Sequence, residues 1–166
     1  LRMVDIPVPT PGPGEVLVRV KATGVCGSDV HMAQRDQDNY TVYPGHCKFP
    51  CVLGHEWSGQ VVELGPGVRS LKVGEAVCVE EMSWCGECTP CREGLVNQCQ
   101  NLEEIGFTYQ GAFAEYVSVK EKYCWRIDSL LEAYGEEDMA YEAGAMVEPC
   151  SVAYNGLFIS AGGFQP

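Results

Sequence analysis

The sequence predicts a mainly β fold with helices at its C-terminal end, arranged as a partly open β-barrel that carries a small extra lobe. Short runs of alternating apolar and polar residues, separated by turns rich in glycine and proline, fill the chain up to residue 127. After residue 128 the apolar residues recur at the spacing of helices. Between the strands lies a segment with clustered cysteines and almost no apolar periodicity, which predicts the lobe.

The β part consists of five predicted strands. The first alternates Val16, Val18 and Val20 with polar residues, a pattern typical of a half-buried strand. Strands are expected over residues 15–21, 58–64, 74–80, 113–119 and 123–127. A short helix is expected over residues 26–34, where Ser28 or Asp29 could cap the first turn.

Three helices are predicted in the last part of the chain. They cover residues 128–134, residues 137–145 and a segment from Pro149 to about Ser160. Proline fits the first position of a helix because the amide at that position has no partner within the helix. The last helix is apolar on most sides, so it is expected to be buried against another surface.

The composition excludes several classes of function. The 166 residues include 23 acidic and 11 basic side chains, which gives a formal net charge of -12. Scattered basic residues in an acidic chain cannot form the dense phosphate-neutralising patch that nucleic-acid binding requires. No apolar run approaches the roughly 18 residues of a membrane span, and no signal-peptide pattern opens the chain. We therefore expect a cytoplasmic single-domain protein with no nucleic-acid or membrane partner.

Four of the ten cysteines are clustered at short spacings, a pattern that predicts a structural zinc site. They lie in a lobe at about residues 84–102 and are Cys85, Cys88, Cys91 and Cys99. Redox disulfides, plain buried thiols and an iron–sulfur cluster are the alternatives for the same cysteines. Four thiolates leave no coordination position open, so the site is expected to support the structure and to perform no chemistry.

A second set of residues has the mixed ligand types of a catalytic metal site. Outside the lobe the chain offers Cys26, His55, Glu56 and Glu148. Each residue alone fits a simpler interpretation: a core or surface histidine, a buried thiol, or a carboxylate beside the helix start at Pro149. Their combination in one chain favours a metal centre.

The residues around this set resemble those of a known family. Residues 54–68, Gly-His-Glu-x2-Gly-x5-Gly-x2-Val, match the signature of the zinc-dependent medium-chain alcohol dehydrogenases. Residues 24–31 resemble the ligand loop of the polyol branch of that family, which includes the sorbitol and threonine dehydrogenases. The cysteine spacing and the segment Val147-Glu148-Pro149 resemble the same branch. Within that branch, the segments 80–82, 106–107 and 40–50 most resemble the scyllo-inosose 3-dehydrogenases.

The resemblance implies a GroES-like catalytic domain over residues 1–166, with the start of a linker at about 149–166. It also implies two zinc ions per chain, one structural and one catalytic. Cys26, His55 and Glu148 are the expected ligands of the catalytic ion. Glu56 is either a further ligand or a residue that exchanges with Glu148 at the ion.

The same resemblance implies that a secondary alcohol of a polyol or cyclitol is oxidised to a ketone by hydride transfer to NAD or NADP. Ser28 and His31 are expected to pass the proton of the alcohol to solvent. Asp29 is expected to orient His55 by accepting its second ring N–H.

Members of the family bind the nicotinamide in a Rossmann domain, and its Gly-x-Gly-x-x-Gly turn is absent from these 166 residues. The chain is therefore expected to bind zinc without turnover by itself, as part of a longer, homo-oligomeric enzyme. Two other classes are compatible with parts of the sequence. A zinc-binding structural or interaction module would tolerate the loss of Cys26 and His55. A redox-sensing thiol protein would form reversible disulfides among the clustered cysteines.

Overall fold

The computed structural model describes residues 1–160, in which a sheet is followed by helices. The sheet strands are Glu15–Thr23 (β1), Trp57–Leu64 (β2), Ala76–Val79 (β3), Tyr116–Lys120 (β6) and Cys124–Arg126 (β7). They form an open antiparallel sheet in the order β6-β1-β2-β3-β7. A separate ribbon pairs Met82–Ser83 (β4) with Glu103–Glu104 (β5). The predicted mainly β fold is confirmed.

The core forms on one face of this sheet because alternate strand residues point to the same side. Val16 and Val18 of β1 are fully buried, and Val61 of β2 and Val117 of β6 join them in one cluster. The pairing of β1 with β2 changes register twice, between Leu17 and Val18 and between Val20 and Ala22. Such irregularities bend a strand and help an open sheet to curve.

The helices lie mainly after the sheet. They are Gly27–Ala33 (α1), Thr89–Arg92 (α2), Asp128–Tyr134 (α3), Glu137–Ala145 (α4) and Val147–Tyr154 (α5), with a π-helical turn over Asn155–Ser160. α4 packs across β1, β2 and β3. Gly144 permits this approach, because a Cβ there would lie 2.9 Å from the Cβ of Ser58. Within residues 1–160 no helix is long and apolar enough to cross a membrane.

The predicted strand over residues 113–119 begins later than expected. Phe113, its first residue, does not pair with β1 because its amide binds a different segment, and Glu115 contacts β1 only through its carbonyl oxygen, which accepts the amide N–H of Val20 at 2.9 Å. The amide N–H groups of Gly111, Ala112 and Phe113 donate to the carbonyl oxygens of residues 52–54 at 2.8–2.9 Å. β6 therefore begins at Tyr116.

The predicted last helix also differs from the structure. α5 begins two residues before Pro149, so Glu148 lies within its first turn. The burial expected of this helix is not found within residues 1–160, where several of its apolar side chains are more than half exposed. Val152, Leu157 and Ile159 are 60%, 51% and 69% exposed. The predicted linker at about 149–166 is helical up to Ser160, and its remainder, 161–166, lies outside the described residues.

Candidate functional site

Three of the predicted ligands meet at one end of the sheet. β1 and β2 are antiparallel and pair Thr23 with Trp57, so the residues after β1 lie beside the residues before β2. This topology brings the side chains of Cys26, His55 and Glu56 together, and their ligand atoms all lie within 4.8 Å of one another. A thiol, an imidazole and a carboxylate are ligand types that zinc accepts. The donor set therefore fits a metal ion.

The environment of His55 favours the form that binds metals. The side chain is 4% exposed, and its Nδ1 atom has no hydrogen-bond partner among residues 1–160. The ring packs against Phe107, with 4.7 Å between ring centroids. Burial lowers the pKa of His55, although the nearby negative charges of Asp29 and Glu56 act in the opposite direction. A neutral imidazole is the state that can bind a metal ion.

Asp29 joins the two loops that carry the candidate ligands. Its carboxylate is 3% exposed and accepts the amide N–H of Cys26 at 3.0 Å through Oδ2. The other oxygen, Oδ1, accepts the amide N–H of Gly54 at 3.2 Å. The same Oδ1 atom lies 3.7 Å from Nδ1 of His55, which is longer than a hydrogen bond. Asp29 thus binds the backbone on either side of the site, and the hydrogen bond predicted to His55 is not formed here.

Ser28 and His31 occupy successive turns of α1, directly after Cys26. The Oγ atom of Ser28 is buried and has no hydrogen-bond partner within the described chain. His31 is exposed on the surface of the helix. Residues three apart on a helix are neighbours, so Ser28 and His31 lie on the same face of α1. The hydroxyl of Ser28 can donate or accept a proton, and His31 is in contact with solvent.

Glu148 lies outside the group of three. It is the second residue of α5, and burial raises the pKa of its carboxyl group, with a further contribution from the negative charge of Glu56. Glu148 is therefore close enough to Glu56 for mutual repulsion, but it is not one of the residues whose ligand atoms lie within 4.8 Å of one another. Its role as a ligand stays a prediction.

Sequence reasoning missed two residues near the site. Phe107 packs against His55, and nothing in the spacing around it indicates this contact. Glu81 follows the buried strand β3 by two residues. Burial, followed by repulsion from Glu104 and Glu148, raises the pKa of Glu81 to about 8. The pair of glutamates after a fully buried strand was the available signal for Glu81.

The ligand atoms of the four clustered cysteines in the lobe also lie within 4.8 Å of one another. All ten cysteines of the chain are free. The Sγ atoms of Cys85 and Cys91 are 4.0 Å apart, and those of Cys88 and Cys99 are 3.9 Å apart. A tetrahedral zinc site with bonds of about 2.3 Å requires sulfur–sulfur distances of about 3.8 Å. The group therefore has the dimensions of a four-thiolate zinc site.

Backbone amides favour thiolates in this lobe. The N–H of Cys88 donates to Sγ of Cys85 at 3.4 Å, and the N–H groups of Cys85 and Asn101 donate to Sγ of Cys99 at 3.3 Å. Hydrogen bonds from the backbone of Glu87 and Cys88 lower the pKa of Cys85 to about 6. Backbone hydrogen bonds also lower the pKa of Cys88, whereas burial raises the pKa of Cys91 to about 12, so the amides favour the metal-binding thiolate form at Cys85 and Cys88.

Comparison with known proteins agrees with this arrangement. The model of the alcohol dehydrogenase GroES-like domain matches residues 12–129. Scyllo-inosose 3-dehydrogenase of Thermotoga maritima is 50% identical over 100% of this chain and 44% of its own length. A solved structure of a candidate alcohol dehydrogenase from Thermotoga maritima superposes with a TM-score of 0.93 at 50% identity, over 98% of this chain and 43% of that one.

A second solved structure is a candidate zinc-binding dehydrogenase from Sinorhizobium meliloti 1021 with NADP bound. It has a TM-score of 0.77 at 34% identity and covers 91% of this chain and 40% of its own. In each comparison this chain spans less than half the length of its relative. The fold, the two metal-ligand groups and the match over residues 12–129 lead to one conclusion: the chain belongs to the alcohol dehydrogenase GroES-like domain family.

Proposed function

We propose that this chain is the metal- and alcohol-binding part of a zinc-dependent dehydrogenase that oxidises a secondary alcohol of a polyol or cyclitol to a ketone. The observation that carries the proposal is the meeting of Cys26, His55 and Glu56 at one end of the sheet, apart from the four-cysteine lobe. A mixed ligand set leaves room for a substrate, whereas four thiolates do not. The 50% identity to scyllo-inosose 3-dehydrogenase supports a cyclitol as the substrate class.

The residues of α1 have the properties that proton removal requires. Zinc, when bound at the mixed group, would increase the acidity of an alcohol hydroxyl. Ser28 would accept the hydroxyl proton at its Oγ atom and give up its own hydroxyl proton in the same relay; this Oγ has no hydrogen-bond partner among residues 1–160. His31, exposed on the next turn, would take the proton that Ser28 gives up and release it to solvent.

The carboxylate ligand is proposed to be Glu56, with Glu148 able to replace it. Glu56 has a ligand atom within 4.8 Å of those of Cys26 and His55. Burial raises the pKa of Glu148, and the negative charge of Glu56 adds to this effect, so the two carboxyl groups lie near enough to interact. A bound Zn²⁺ would relieve this repulsion, which supports a site that either glutamate can approach.

The nicotinamide is proposed to bind outside the residues assigned here. The 166 residues contain no Gly-x-Gly-x-x-Gly sequence, and the relative solved with NADP is more than twice as long as the part that this chain matches. We therefore expect these residues alone to bind zinc without oxidising alcohols. NAD-dependent oxidation of a polyol by the 166-residue chain alone would contradict this division of roles.

The metal content of the purified chain tests the proposal. Elemental analysis is expected to find two zinc ions per chain, and Cys26→Ala and Cys85→Ala are each expected to lose one. Cys150→Ala is the matched control, because Cys150 is an exposed cysteine outside both groups and its loss should leave two ions. One ion that is lost with Cys85→Ala but kept by Cys26→Ala would contradict the catalytic site and favour a zinc-binding structural or interaction module.

A further inference from the structure

The four-cysteine lobe is connected to the rest of the protein through the ribbon of β4 and β5. The chain enters the lobe after Ser83 and leaves it before Glu103, and these two residues pair with each other. The pairing continues past the ribbon, where the amide N–H of Ile105 donates to the carbonyl oxygen of Glu81 at 3.1 Å. A change in the lobe therefore reaches the sheet through residues that follow β5.

A tight turn follows β5 directly. The N–H of Glu104 donates to Oγ1 of Thr108 at 2.8 Å, and the N–H of Thr108 returns to the carbonyl oxygen of Glu104 at 2.9 Å. The turn buries Ile105 fully in the main core and leaves Phe107 3% exposed. The position of the Phe107 ring is thus determined by the end of the lobe and by the core together.

Two aromatic side chains pack against the ring of Phe107. The centroid of His55 lies at 4.7 Å and that of Tyr43 at 5.4 Å. The carbonyl oxygen of Phe107 also accepts the amide N–H of Lys48 at 2.8 Å. The ring has little freedom to move away from the imidazole without disturbing these contacts.

The backbone of the same turn lies directly on the backbone that carries His55. A Cβ on Gly106 would be 2.8 Å from the carbonyl oxygen and 2.9 Å from the nitrogen of Gly54. Gly106 has a φ of +77° and Gly54 a φ of +94°, so both positions require glycine. Two main chains in contact, with no side chain between them, transmit a displacement of one to the other.

We propose that Phe107 is a positioning residue for His55, and that through it the metal state of the four-cysteine lobe controls metal binding at the group of Cys26, His55 and Glu56. This inference rests on the proposed function, since it requires that group to bind a metal. Residues that orient a ligand typically change metal affinity 10- to 100-fold when they are replaced. Because coupling between two binding sites is reciprocal, a metal ion bound by Cys26, His55 and Glu56 should also strengthen metal binding in the lobe.

The first test replaces the ring. The lobe is loaded with zinc in the full chain and in Phe107→Leu. Co²⁺ is then titrated into the mixed group of Cys26, His55 and Glu56, and visible absorption reports its binding. We expect Co²⁺ to bind Phe107→Leu at least about tenfold more weakly. Tyr141→Leu is the matched control, because Tyr141 of α4 is similarly buried but belongs to a different cluster. Its Co²⁺ affinity is expected to be unchanged.

The second test empties the lobe with Cys88→Ser/Cys91→Ser and repeats the Co²⁺ titration. If the variant keeps the far-ultraviolet circular dichroism of the parent, the affinity of its mixed group for Co²⁺ should fall at least about tenfold. If the variant unfolds, the Co²⁺ affinity of Phe107→Leu is the measurement that tests the inference. Unchanged Co²⁺ affinity in Phe107→Leu or in a folded lobe variant overturns the inference and leaves the proposed function intact. Absence of Co²⁺ binding outside the lobe of the unaltered chain overturns both.

Discussion

The carboxylate of Asp29 should be a large contributor to stability, although its neighbours are backbone amides and not charged side chains. Asp29→Ala leaves the N–H groups of Cys26 and Gly54 without their acceptor. Each buried donor left unpaired costs about 1–3 kcal/mol. The Gly54 bond is buried and the Cys26 bond only partly so, which leads to an expected loss of about 2–4 kcal/mol in the free energy of unfolding.

Asp36 is a close internal control for this prediction. Its carboxylate also accepts two backbone N–H groups, those of Asp38 and Tyr40, each at 2.9 Å. Both bonds are exposed, so water replaces the acceptor when the side chain is removed. Asp36→Ala should therefore cost less than about 1 kcal/mol.

Urea unfolding followed by tryptophan fluorescence measures both losses. The two substitutions are compared in a Cys26→Ser background, where the mixed metal group is disabled in every sample and metal binding cannot contribute to the difference. Excess zinc keeps the lobe loaded throughout. The reasoning is refuted if Asp29→Ala loses less than about 1 kcal/mol, or if Asp36→Ala loses as much as Asp29→Ala.

Three further perturbations have defined outcomes. Gly111→Ala should lower the free energy of unfolding in urea by about 2–3 kcal/mol, because its Cβ would meet a main-chain carbonyl oxygen at 2.5 Å. Gly156→Ala should leave this free energy unchanged or raise it, because the space around Gly156 is open. Lys122→Ala should lower the free energy of unfolding by about 1–2 kcal/mol and shift tryptophan emission. The ammonium of Lys122 lies 4.1 Å from the ring centroid of Trp84 and 4.7 Å from that of Tyr123, and it donates to the carbonyl oxygen of Trp84 at 2.9 Å. In the metal-free chain Glu81 retains a proton when folded up to about pH 8, well above its ordinary pKa of 4.5, so the free energy of unfolding should fall as pH rises between these values. Burial also raises the pKa of Glu80, Glu104 and Glu148, so Glu81→Gln should reduce that fall in a series of urea titrations, and an unchanged pH profile would contradict the environment assigned to Glu81.

The sequence allowed the periodic elements to be predicted closely. The helices over residues 128–134 and 137–145 have the expected bounds, and the first of them ends at a recognisable signal. Gly135, for example, ends α3 with a φ of +69°, a conformation that glycine adopts readily. The strand expected from residue 113 begins later, because the amide of Phe113 binds Leu53, a residue distant in sequence, and no local pattern indicates such a partner.

The site shows the same division between composition and geometry. Ligand types indicated Cys26, His55, Glu56 and Glu148, of which the structure brings the first three together. The contacts of Asp29 could not be predicted in detail, because a carboxylate three residues after Cys26 can reach either a ring nitrogen or a backbone amide. Phe107 was missed for a related reason, since its contact with His55 depends on the turn after β5 and on no motif in the sequence.

The strand order also has a consequence for the rate at which the chain reaches its native state. β2 and β3 follow each other in the chain and pair Gln60 with Ala76, so they can form by short-range closure. β6 pairs Lys120 with Glu15 across the whole intervening chain, and the entropy of closing that span is lost before the pairing forms. The cysteine lobe lies within the span, so an ion that orders the lobe shortens the segment that remains free. Zinc supplied at the start of refolding should therefore accelerate the final closure of the sheet.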